Sequence, residues 1–273
     1  MFDSLPICPQ RSFGQALVGL VRRSGQTSLQ TLRQVGSAKA FLPCVDGDVP
    51  EVVFLNTSGG LTSGDRLDYA LDLDNGCVAV ATTQTAERCY CCPEGPAVVD
   101  VRLRVGAGAR LNWLPQETIL YDSADLSRTT TIDLAPTASC LFVETVLLGR
   151  AAMGETLQTL SFRDTREIRR NGKPVFFEPL DLNTKTLQNI THPALLGDAR
   201  AFASLIFVGP GAEDAAAALR PLLNEPGVES GISGFDGKCI LRLVARDGWP
   251  LRRQLLRVLP QLLGRPLPRV WQI

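Results

Sequence analysis

The amino-acid sequence predicts a mainly β protein that closes on a small α/β lobe. Two observations carry this. Period-two alternation of apolar and polar residues recurs, between turn residues, from about residue 15 to 190, and the helical patterns lie only past residue 195. The chain of 273 residues is long for an average domain but within reach of one large β-rich domain, and its 45% apolar content suits an ordinary core. We divide it into a β-rich body, 1–195, and an α/β lobe, 196–273, forming one continuous domain.

The elements follow in order. In "FLNTSGGLTSGDRL" (54–67) glycines and hydroxyl side chains crowd a tight turn between two apolar runs. "LDYALDLD" then puts Leu67, Tyr69, Leu71 and Leu73 on one face of a strand and Asp68, Ala70, Asp72 and Asp74 on the other. Asn75-Gly76 reads as a tight hairpin turn, with "CVAVATTQ" as the returning strand. In "VVDVRLRVGAGARLNWL", Val99, Val101, Leu103 and Val105 alternate with charged residues before a Gly-Ala turn. "ETILY", "RTTTIDL" and "SCLFVETVLL" continue the series, with no amphipathic helix up to about residue 190. Beyond it come a buried strand at "ARAFASLIFVG", an alanine-rich helix at "AEDAAAALR" that stops before Pro221, and a strand at "CILRLVA". The final helix, "WPLRRQLLRVLPQLLG", has Pro250 at its start and Gly264 past its end. Its apolar face is Leu251, Leu255, Val258, Leu259 and Leu262.

Composition excludes several functions. Lys plus Arg and Asp plus Glu both total 28, which gives no electrostatic preference for nucleic acid or an anionic membrane surface. Charged residues are only 21%, and so lightly charged a surface points to a partner that covers it. No run of about 18 apolar residues occurs, so no spanning helix is expected. The first residues, with Asp3 among them, read as neither an export signal nor a transit peptide, which places the protein in the cytoplasm. Eight cysteines in a chain of this size without an export signal are expected to be reduced thiols.

Candidate sites divide sharply. The glycine-rich stretch has no Gly-Lys-Ser/Thr run and leads into a strand, so it is not a phosphate cradle. A nucleophilic triad would have to use the single histidine, His192, in a loop before a proline, and no G-x-S-x-G elbow exists. A cysteine paired with His192 is the hydrolase alternative. Cys89, Cys91 and Cys92 could meet a soft metal, but no second C-x-x-C hook completes a tetrahedral site. A metal-binding protein centred on these thiols is the other alternative. Among Glu87, Glu117, Glu144 and Glu155, Glu144 interrupts an apolar strand, so it is either buried with a partner such as Arg150 or lines a wet cavity.

Five stretches in this order, "NTSGGLTSGDRL", "TTQTAERCY", "LPQETILYDSADLSR", "LGRAAMGE" and "PLPRVW", resemble the urease accessory protein UreD (UreH) family, closely over residues 15–190 and more loosely in the lobe. The resemblance implies stacked, β-helix-like sheets. It also implies an assembly factor with no catalytic residue, a nickel-insertion chaperone that binds the urease apoprotein subunits. With UreF and the GTPase UreG it conducts nickel to the urease active site in a hetero-oligomeric complex. No cofactor or metal would be tightly bound; nickel would pass transiently, and neither nucleic acid nor membrane would take part. The family-motif core falls on Asn56, Thr57, Ser58, Gly59, Gly60, Gly64, Asp65, Thr82, Thr83, Gln84, Gly149, Arg150 and Glu155. Asp65 and Glu144 are the candidate nickel-path residues. Arg88 stands where the family usually has lysine, and the cysteines after it depart from the pattern, so Cys89, Cys91 and Cys92 inherit no nickel role.

Overall fold

The computed structural model describes residues 11–44, 49–192 and 194–272. The expectation about Asp3 and its neighbours lies outside these residues, as does Pro193 beside the histidine. Strands β1 (Phe13–Arg23) and β2 (Gln26–Gly36) form an antiparallel pair, as do β3 (Ala38–Phe41) and β4 (Glu51–Asn56). The chain then winds through β5 (Arg66–Leu73), β6 (Val78–Thr83), β7 (Glu87–Cys89), β8 (Ala97–Val105), β9 (Arg110–Trp113), β10 (Thr118–Leu120), β11 (Ala124–Leu134), β12 (Ser139–Leu148) and β13 (Leu160–Arg170). Successive long strands go to alternate sheets. Strands β1, β5, β8, β11 and β13 stack in parallel in a seven-stranded sheet. Strands β4, β6, β9 and β12 stack in parallel in a ten-stranded one. The result is a β-solenoid whose coils each add one strand to either sheet.

The sequence-derived hairpin at Asn75-Gly76 is corrected here. Gly76, at φ +67°, turns the chain, but β5 and β6 do not pair; they lie in opposite sheets. Both edges of β5 are already occupied, by β1 on one side and β8 on the other. The turn chemistry fixed the reversal and not its partner.

Past the solenoid, β14 (Lys173–Asn183) returns antiparallel along β13, and Asn183 caps a five-residue helix, α1 (Thr184–Gln188), a short exception to the expected absence of helix before residue 190. Strand β15 (Ala201–Val208) pairs with β12, so the ten-stranded sheet runs unbroken into the lobe. Helix α2 (Ala212–Leu219) ends just before Pro221, where a 3-10 turn takes over. The pair β16 (Val228–Phe235) and β17 (Lys238–Ala245) completes the sheet; the first of these, glycine-rich and exposed, carries no alternation that the sequence could reveal. Helix α3 (Gly248–Leu263) is capped by the Asp247 carboxylate, which accepts from Trp249 N–H at 2.9 Å, and stops at Gly264.

Two cores result. One fills the space between the sheets. The other lies on the outer face of the ten-stranded sheet, where Leu205, Leu241 and Leu243 meet Leu251, Leu255, Val258 and Leu259 of α3. Among the described residues no helix is long and apolar enough to cross a membrane.

Candidate functional site

The solenoid stacks equivalent residues into rows, and two rows change character along the axis. One runs Leu67, Val99, Arg128, Asp164; the next runs Tyr69, Val101, Thr130, Arg166, Glu178. All point inward and are buried. Apolar in the early coils, they become charged in the late ones. The facing sheet answers with Glu144, Ser204 and Arg242, register partners across β12, β15 and β17.

These side chains form one ladder of alternating charge. Arg128 meets Glu144 at 2.8 Å and grips Asp164 through two hydrogen bonds of 3.0 and 2.6 Å. Arg166 donates to Asp164 at 2.8 Å and to Glu178 at 2.8 Å. Glu178 also accepts from Ser204 and pairs with Arg242, whose exposed side chain ends the ladder at the surface. Glu144 is thus buried and paired, as the sequence allowed, but its partner is Arg128 and not Arg150. Residue 150 is near in sequence but sits beyond the strand's end, whereas β11 carries Arg128 on the opposite sheet, facing β12. Burial pushes the Glu144 carboxyl up, against the pull of Arg128 and Arg166. Burial also works on Asp164, but there the two guanidiniums win and hold it below the usual carboxylate range.

Where the rows change, a cavity of about 40 Å³ lies between the sheets, room for one or two waters. Its polar wall is Thr83, Glu87, Gln116, Thr118, Arg128 and Glu144. Arg128 donates to Thr118 at 3.0 Å. The Trp113 indole N–H, also on the wall, has no hydrogen-bond partner among the described residues. Burial pushes Glu87 up to about 7, despite the hydrogen bond it accepts from Asn56 at 3.3 Å. The cavity therefore offers two carboxylates, an amide and hydroxyls, a hard-oxygen donor set with a guanidinium beside it.

Of the family-motif residues, Thr83 lines this cavity and Asn56 holds Glu87 on its wall, while the others brace nearby turns. Asn56 is a hub: its side-chain oxygen accepts from Ser58, and its NH₂ donates to Gly60 and Glu87. Thr57 bonds Ser37. Gly59 and Gly60 both have positive φ, and a Cβ on Gly60 would lie 2.3 Å from the Tyr90 ring. The Gly64 N–H donates to Pro96, and both Asp65 oxygens are taken, by Ser12 N–H at 2.7 Å and Thr62 N–H at 2.9 Å. Asp65 is not on the cavity wall. Thr82 bonds Leu114 O at 2.6 Å, Thr83 receives Gln116 N–H at 2.9 Å, and Gln84 N–H closes on Phe54 O.

Motifs far apart in sequence converge. Tyr90 donates to Gly59 O and packs edge-on against Tyr121 at 4.9 Å, and the Arg150 guanidinium sits 4.5 Å over Tyr121. Arg150 forks onto Glu155 at 2.9 and 3.2 Å, holding that carboxyl down at about 2, while the Gly149 N–H donates to Leu120 O at 2.7 Å.

Sequence reasoning named Glu87 and Glu144 but missed Arg128, Asp164, Arg166, Glu178 and Arg242. The signal available was the intrusion of charge into strands otherwise apolar on that face, as at Arg128 in "LSRTTTIDL". Glu117 lies outside the ladder, 3.6 Å from Arg252. His192 is exposed, its Nδ1 accepting from Ala194 N–H, and no cysteine is among its hydrogen-bond partners. Among the described residues no three His, Cys, Asp or Glu side chains gather to hold a metal.

The chain is thus a parallel β-solenoid whose late coils enclose a charged interior. The family model for the UreD urease accessory protein matches residues 13–272. The chain is 60% identical over 265 residues to the urease accessory protein UreD of a Cereibacter sphaeroides strain, covering 97% of this chain and 96% of that one. It is 51% identical to the protein of that name from Paracoccus denitrificans, covering 100% and 97%, and 48% identical to that from Dinoroseobacter shibae, covering 99% and 96%. The chain belongs to the UreD urease accessory protein family, and is an accessory protein rather than an enzyme.

Proposed function

We propose that this chain is a cytoplasmic scaffold for urease maturation that docks on the urease apoprotein subunits, binds UreF, and passes on nickel released when UreG hydrolyses GTP. The observation that carries the reading is the cavity between the sheets, with Glu87 and Glu144 on its wall and a charged ladder leading from it to the surface. A divalent ion crossing there would exchange water for carboxylate, amide and hydroxyl oxygens. Arg128 beside Glu144 weakens the hold on a cation, and a conduit must release what it binds. Of the two path carboxylates read from the sequence, Glu144 lies on this wall. Asp65 fastens the turn that carries Leu61, another wall residue, and we assign it the positioning of that turn.

The test is co-expression of urease with UreF, UreG and either this chain, its Glu87→Gln/Glu144→Gln variant, or no such chain. We expect urease without the chain to stay nickel-poor. The double variant should pull down urease and UreF as before, yet load nickel about tenfold more slowly, as a barrier raised by about 1.4 kcal/mol gives. Full loading by the variant with intact complexes sinks the route; full loading without the chain sinks the maturation role.

A further inference from the structure

The segment Cys89-Tyr90-Cys91-Cys92 places two sulfurs on one carbonyl oxygen: Cys92 Sγ lies 3.3 Å and Cys89 Sγ 3.8 Å from Tyr90 O. Rigid neighbours hold both residues. The Cys89 carbonyl accepts from Tyr121 N–H at 3.0 Å, Cys92 N–H donates to Ser123 O at 2.9 Å, and Cys91 between them bridges to Ala124. The Tyr90 N–H and Leu61 carbonyl tie the segment to the glycine-rich turn. C-x-x-C spacing with both sulfurs gathered at one carbonyl oxygen is an arrangement in which one thiol can attack and the other resolve.

The two thiols differ in character. Cys92 is held down at about 6 by the hydrogen bond from Cys89 and by the backbone N–H groups of Asp125 and Ala97, against burial. Cys89 is pushed up by that same hydrogen bond, which it donates, and by burial. Cys92 is 7% exposed and Cys89 fully buried, which admits a small oxidant and excludes a bulky disulfide.

We propose that Cys89 and Cys92 are an oxidisable dithiol that a hydroperoxide converts into an intrachain disulfide. The Cys92 thiolate attacks the terminal peroxide oxygen, the O–O bond breaks, and hydroxide, or the alkoxide of an organic hydroperoxide, leaves, giving a sulfenic acid at Cys92. The Cys89 sulfur then attacks the Cys92 sulfur, the S–O bond breaks, and the Cys89 proton leaves with the hydroxyl as water. The peroxide is reduced and the two sulfurs oxidised by two electrons in total. The disulfide would pin the segment that follows Glu87 on the cavity wall.

The experiment uses the full chain carrying Cys91→Ser, an exposed position, so that the tryptic peptide 89–102 keeps only the two sulfurs in question. After mild hydrogen peroxide, that peptide should lose the mass of two hydrogens and resist alkylation, and dithiothreitol should restore it. When Cys89→Ser is added to the Cys91→Ser chain, Cys92 should stop at the sulfenic acid and take up one dimedone. Peroxide that leaves the peptide fully alkylatable overturns the proposal. So does a two-hydrogen loss in the wild type that disappears with Cys91→Ser, since Cys91 would then be the true partner. Should Cys89→Ser fail to fold, the peptide from the Cys91→Ser chain decides alone.

Discussion

The early and late coils of the solenoid occupy the same rows of the same sheet and fill them in opposite ways. At Leu67, Tyr69, Val99 and Val101 the interior is apolar and close-packed, and burying each side chain is favourable in itself. Further along the same rows, Arg128, Asp164, Arg166 and Glu178 stand at equivalent positions, where burial is costly unless every charge has a partner. The backbone tolerates both because its own hydrogen bonds are closed by neighbouring strands whatever the side chains are. The teaching is that the coil is indifferent to what it encloses. The late coils keep a polar interior at an energetic cost that a structure selected for stability alone would avoid.

Removing the hub of the charged half should therefore have the largest effect. Arg128→Met strands Glu144 and leaves Asp164 with one guanidinium, and we expect a loss of about 3–5 kcal/mol in urea unfolding. Adding Glu144→Leu should recover part of it; no recovery would mean that Arg128 acts by packing, and the contrast between coils would lose its electrostatic basis. In the apolar half, Leu67→Ala should cost about 3 kcal/mol, mid-range for truncating a buried leucine, with the same loss at pH 5 and pH 8. A pH-dependent loss there would show that the two halves are coupled.

The third effect is smaller and sharpens the boundary between the halves. Glu87 is raised to about 7 in the folded chain, from 4.5. Between those values the folded state binds more protons than the unfolded one, so Glu87 makes stability fall as pH rises from about 4.5 to about 7. Glu87→Gln should flatten that limb and stabilise the protein at pH 8 by about 1–2 kcal/mol, allowing for partial exposure. An unchanged pH profile would mean that Glu87 faces water, outside the cavity.

Much was written in local pattern. Alternation in "LDYALDL" and "VVDVRLRV" marked the buried faces of β5 and β8, residue by residue, because in a strand the side chain's direction depends only on whether its position is odd or even. The start and stop of α3 were legible in Pro250 and Gly264, since such residues act on their own backbone, whereas the Asp247 cap emerged only in the structure. The order of five motifs was enough to indicate the family. What the sequence could not say was which segments meet. Asn75-Gly76 specified a turn, and only the stacking of β1, β5 and β8 decided that it joins two sheets. Glu144 announced a buried charge, but its partner came from a strand on the facing sheet. The meeting of Tyr90, Tyr121 and Arg150 was equally hidden. A residue's direction is set by its own backbone torsions, whereas its partner is set by how many coils the chain completes before returning, a long-range quantity that no local stretch encodes.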